Sequence, residues 1–108
     1  MPRGPKNPNE ARSWARFAIA NGLYIKARHF DQRCIERKVT LLDVICAIGR
    51  CSIVEPFSDM PKNNGTCWRA FGPTVDGDAT IGVGFEAFLD EDGNRIILCT
   101  VLPPKRKR

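Results

Sequence analysis

One histidine and two arginines recur at equal intervals in the first half of this 108-residue chain: His29, Arg33 and Arg37, spaced i, i+4, i+8. On a helix each step of four drifts only about 40°, so the three side chains share one stripe about 80° wide. An imidazole beside two guanidiniums suits chemistry on phosphodiesters. A neutral imidazole would take the 2′-hydroxyl proton of RNA for attack on the adjacent phosphate. The arginines would grip that phosphate bidentately and stabilise the charge that develops on it. That route needs neither metal nor cofactor. The same spacing also fits a structural arrangement, with His29 hydrogen-bonded at a helix–sheet seam and the arginines paired to Asp31, Glu36 or acids of the second half.

The elements that must position this stripe follow from periodicity. Apolar Ala11, Trp14, Ala15 and Ala18 recur at helical spacing, with Asn9 as a candidate cap and Asn21-Gly22 as the stop. Leu23-Tyr24-Ile25 reads as a short strand or connector. Residues 27–38 read as a second helix with Phe30 and Cys34 inward. Thr40 and Asp43 form a carboxylate version of the capping box ahead of Leu41, Val44, Ile45 and Ile48, and Gly49 ends that third helix. Beyond it the pattern turns to strands: Ile53–Glu55, a polar loop with Pro61, Asn63, Asn64 and Gly65, then Cys67–Phe71. After a turn at Asp76-Gly77-Asp78 comes an alternating run from Ile81 to Leu89. Residues 90–94 read as a hairpin loop, and 96–102 as a strand apolar on both faces, hence central. The expected fold is α+β: N-terminal helices on one face of a mostly antiparallel sheet of about four strands. The expected division is a flexible arm at 1–8, one domain at 9–102 and a basic tail at 103–108.

The formal charge is +5, but its placement matters more than its total. Lys105, Arg106, Lys107 and Arg108 carry +4 and residues 1–12 a further +2, so the body from 13 to 104 nets −1. Within that body residues 13–50 net +4 and 51–104 net −5. A basic helical half therefore opposes an acidic sheet half. The acids are either ordinary solvated loop residues or a face for a basic partner. The five cysteines include no C-x-x-C pair and stand beside a single histidine, which argues for reduced thiols packed as small hydrophobes and against zinc. With no signal-like segment and no long apolar run, the expected setting is cytoplasmic, without a membrane partner. Trp14, Trp68 and Phe71 read as core aromatics.

The pattern H-x3-R-x3-R, then V-T-L-L-D-V-I-C-A-I, then the strand R-I-I-L-C-T-V resembles a small bacterial domain family of unknown function. That family is similar in organisation to RelE/ParE-superfamily toxins, including BrnT and MqsR. The resemblance covers about residues 24–102. It implies a RelE/barnase-like fold and a metal-independent endoribonuclease toxin acting on mRNA, free or ribosome-bound, with a cognate antitoxin protein. On it, His29 serves as general base or acid, Arg33 and Arg37 hold phosphate, and Thr100 orients the substrate or the histidine. Arg28 and Arg69 add RNA contacts. The helix at 9–21 falls outside the family pattern. The alternative is a non-catalytic module that binds RNA, ribosome or protein through the basic helical half and the tails, with Lys105 to Arg108 supplying salt-dependent attraction.

Overall fold

A computed structural model describes residues 4–57, 65–91 and 93–106. The expected loop positions Pro61, Asn63 and Asn64, together with Lys107 and Arg108, lie outside the described residues.

Helix α1 runs from Pro8 to Ala20 and is capped by Asn7 rather than Asn9. The Asn7 side chain accepts from the Glu10 amide at 2.9 Å, and Glu10 in turn accepts from the Lys6 amide at 2.7 Å. Pro8 takes the first helical position, where its missing N–H costs nothing. The helix stops at Asn21, and Gly22 turns the chain with φ at 68°. Its buried residues, Ala11, Ala15 and Ala18, are all small, which lets α1 lie close to its neighbours. Strand β1 (Tyr24–Lys26) leads into the two-turn helix α2 (Phe30–Arg37). Phe30 and Cys34 are buried as expected, and Lys38 ends the helix in the left-handed conformation. Helix α3 (Leu41–Gly49) opens with the reciprocal Thr40–Asp43 capping box, both bonds at 3.1 Å.

The sheet holds β1, β2 (Ile53–Pro56), β3 (Thr66–Pro73), β4 (Ala79–Asp90), β5 (Gly93–Val101) and β6 (Lys105–Arg106). Its order is β1-β5-β4-β3-β2, with β6 paired to β4 beyond the end of β5. Among the described residues six strands replace the four expected: the segment read as a short strand or connector at 23–25 is strand β1, and the two-residue β6 was not expected. Only β1 runs parallel to its neighbour; the other pairings are antiparallel. The fold is thus α+β with a mostly antiparallel sheet. The central strand is β4, not the last long strand: residues 81–88 of β4 are buried throughout. Strand β5 is internal but fully buries only Ile96, Leu98 and Val101.

The helices cover one sheet face. Ile81, Val83, Phe85 and Ala87 of β4 join Val54, Trp68, Ala70, Ile96, Leu98 and Val101 in a core shared with α1 to α3. Each large apolar side chain buried here contributes about 1.5–3 kcal/mol. Helix α3 approaches β3 so closely at Gly72 that a Cβ there would lie 2.1 Å from the Ala47 carbonyl oxygen. Trp14 ties α1 to β5 by donating to the Arg95 carbonyl at 3.0 Å.

The arm and tail are shorter than the sequence reading drew them. Pro5 is fully buried, and its carbonyl accepts from the Thr66 hydroxyl at 2.9 Å, so the packed structure includes residues 4–8. At the other end Lys105 and Arg106 add to the sheet opposite Thr80 and Ala79. No helix among the described residues is long and apolar enough to cross a membrane.

Candidate functional site

The predicted site residues fall into two groups on different sides of the molecule. The first is the α2 stripe. His29 is the residue before the helix; its carbonyl accepts from the Arg33 amide at 3.0 Å, and its side chain makes no capping bond and is exposed. Arg33 is exposed and donates to Glu36 at 3.3 Å. Lys26 pairs with Asp31 at 3.1 Å. Arg37 is half-buried, with its Nε enclosed and no acceptor within reach. Arg28 is exposed ahead of the helix. Burial pushes the Cys34 thiol up, and Asp31 adds to that, so the thiol under the stripe is no nucleophile.

Thr100 does not join this stripe. Regular alternation would turn Thr100 to the helix-covered face with Ile96 and Leu98. A bulge intervenes: Phe85 pairs with Leu98 but Gly84 pairs with Thr100, leaving Cys99 as the extra residue. Parity therefore flips, Val101 enters the core, and Thr100 turns to the other sheet face. The toxin-like arrangement in which Thr100 steadies His29 is not assembled here.

The second group lies on that other face. The strand registers set Glu55, Arg69, Gly84 and Thr100 in one row across β2, β3, β4 and β5. Arg69 donates to Glu55 through Nε at 2.8 Å and also through Nη2. Its guanidinium lies over the rings of Phe57 and Phe71, 5.0 and 5.3 Å from their centroids. Such stacking holds a planar cation rigid while leaving its rim accessible. Next to it a groove of about 460 Å³ is lined by Arg69, Phe71, Thr80, Gly82, Leu102, Pro103, Pro104 and Lys105. Phe71 and Leu102 close over Gly82, where an added Cβ would lie 2.8 Å from both Leu102 Cδ1 and Phe71 Cε1. Lys105 is exposed at one end of the groove.

Farther along this face the groups are closed off. Glu86 is buried, and its carboxylate accepts from the Gly65 amide at 2.8 Å. Burial, helped by nearby Cys67, pushes the Cys99 thiol up to about 11. Beyond Pro104 lies a small polar cavity lined by Lys38, Asp43, Thr74, Asp76 and Asp78. Hydrogen bonds from Asp78 and from the Thr74 hydroxyl hold the Asp76 carboxyl down at about 2. Among the described residues no cluster of His, Cys, Asp and Glu is arranged to hold a metal ion.

Arg69 and Lys105, expected as RNA contacts, thus line one groove, whereas Arg33 and Arg37 lie on α2 and Arg28 and His29 just ahead of it. Sequence reasoning missed Phe57, Glu55 and the Leu102–Pro104 wall, and it placed Phe71 in the core. Trp68 is buried there, but Phe71 is three residues away and has the opposite strand parity. That parity was the available signal: Arg69, Phe71 and Pro73 must share the face that Trp68 and Ala70 do not. Comparison with family models, curated proteins and solved structures found no match.

Proposed function

We propose that this chain is a non-catalytic RNA-binding module whose contact surface is the sheet face opposite the helices. The observation that carries this reading is the convergence of a ring-stacked Arg69, the Phe71 ring and Lys105 on one groove. Guanidinium and ammonium groups supply phosphate attraction, and an aromatic ring supplies a surface on which an unpaired base stacks. In the sequence Lys105 opens the basic run Lys105–Arg108. The stripe at α2, where Arg33 is already held by Glu36, lies on the other side of the molecule and takes no part in this contact surface.

The test is fluorescence anisotropy with a labelled single-stranded oligoribonucleotide at several salt concentrations. Arg69→Ala and Lys105→Ala should each weaken binding and lower the salt slope by about 0.7–1. His29→Ala should leave affinity within about twofold. Affinity unchanged by both groove substitutions would overturn the reading.

A second reading, a ribonuclease toxin acting on mRNA and held by an antitoxin, rests on the α2 stripe. There His29 and Arg33 are both exposed, one helical turn apart, with the Arg33 amide donating to the His29 carbonyl. Mapping RNA ends separates the two: ends produced by the wild type and absent with His29→Ala would decide for the ribonuclease.

A further inference from the structure

Resting on the RNA-binding reading, we propose that the groove holds two unpaired nucleotides, with one base stacked on Phe71 and flanking phosphates on Arg69 and Lys105. Three features of the sheet lead there. First, the order along β4 is regular: Arg69 stands opposite Gly84, Phe71 opposite Gly82, and Lys105 opposite Thr80. Measured along β4, Phe71 therefore stands midway between two cations about 13 Å apart in that direction, with Arg69 and Phe71 on β3 and Lys105 across β4 on β6. Two extended nucleotides span that length, and the central position is the one that offers a ring. Second, Phe71 and Leu102 close over Gly82, so a base has to lie on the groove-lining ring itself, which only an unpaired base can do. A duplex keeps its bases stacked inward and would touch the rim through phosphate alone. Third, the groove is bounded by charge. Asp76 and Asp78 line the cavity on the far side of Pro104, so phosphates are disfavoured in that direction.

Glu55 already holds Arg69 through Nε and Nη2, so an incoming phosphate competes with that carboxylate for the guanidinium. The pair is partly exposed, so its loss costs little, and removing the acid should help RNA rather than harm it. A merely structural ion pair gives the opposite result.

The experiment measures affinities for two-, four- and eight-nucleotide single strands and for a duplex of the longest sequence. It uses the full chain, with thermal melting to show that each variant is folded. Affinity per molecule should be established by the shortest strands, and the duplex should bind at least tenfold more weakly than the single strand. Phe71→Leu, which keeps apolar volume but removes the ring, should lose about tenfold for the single strand and nothing for the duplex. Glu55→Gln should tighten single-strand binding roughly twofold to fivefold. Equal binding of duplex and single strand, an unaffected Phe71→Leu variant, or weaker binding by a folded Glu55→Gln would each overturn this inference while leaving RNA binding itself intact. No binding of any RNA by the wild type would overturn the RNA-binding reading and this inference together.

Discussion

Two glycines on adjacent strands should respond oppositely to the same added methyl. At Gly82 a Cβ would meet Leu102 Cδ1 and Phe71 Cε1, both at 2.8 Å. Carbon atoms prefer about 3.5–4.0 Å, so each of these side-chain ends must withdraw by about 1 Å. Both are tips of side chains on an open face, which keeps the strain within about 1 kcal/mol. The greater stiffness of alanine in a strand returns about 0.5–1 kcal/mol of that. Gly82→Ala should therefore melt within a few degrees of wild type while binding single-stranded RNA about tenfold more weakly, since the methyl displaces Phe71 and Leu102, which both line the groove. At Gly72 the added Cβ would lie 2.1 Å from the Ala47 carbonyl oxygen and 2.8 Å from its carbon, backbone atoms of α3 that cannot rotate away. The helix must lift off the sheet, at about 3 kcal/mol, lowering the melting temperature by roughly 12–20 °C. Circular dichroism melts and anisotropy titrations on the two purified variants read both quantities. A folded Gly82→Ala that binds RNA like wild type would refute the assignment of the groove. A Gly72→Ala as stable as wild type would refute the closeness of α3 to β3.

Other expectations concern stability and reactivity. Asp43 accepts from the Thr40 amide at 3.1 Å and from the Val75 amide at 3.0 Å, so Asp43→Ala loses a cap and a tie to the β3–β4 turn. A loss of about 2 kcal/mol in urea unfolding is expected, and a change under 0.5 kcal/mol would contradict it. Partial burial works to raise the Asp43 carboxyl, but the Val75 and Thr40 amides and the Thr40 hydroxyl outweigh it and hold it below its ordinary 3.8. A depressed carboxylate stabilises the fold above its unfolded value, and that part is lost as pH falls through the folded value. Wild-type stability should therefore drop on acidification below about pH 4 by more than that of Asp43→Asn, as followed by urea midpoints; parallel curves would contradict the sign. With its thiol raised to about 11, Cys99 should resist iodoacetamide at pH 7 in the native protein and react only on unfolding, as read by peptide mass mapping. Native labelling of Cys99 as fast as in urea would count against its burial.

Local chemistry was legible in the sequence where neighbours along the chain determine it. The Thr40–Asp43 box, the Asn21-Gly22 stop and the inward Phe30 and Cys34 all depend on residues within a few positions of one another. Other features depend on pairings that no short window contains. Strand β1 is three residues long, and β5, some seventy residues later, determines that it is a strand at all. One residue of bulge at Cys99 reverses the facing of Thr100, and nothing in the run Ile96–Val101 announces where regular alternation will fail. The groove is hidden for the same reason. Arg69, Gly82 and Lys105 are far apart in sequence and meet only through the β3–β4 and β4–β6 registers. The burial of Pro5 likewise depends on Thr66, sixty-one positions away.

Location is the central claim, and amide chemical-shift mapping with a short single-stranded oligoribonucleotide tests it most directly. Progressive shifts are expected at Arg69 to Phe71, Thr80 to Gly82, Leu102 and Lys105, with small changes along α2. Shifts concentrated at His29 to Arg37, with the sheet face silent, would contradict it.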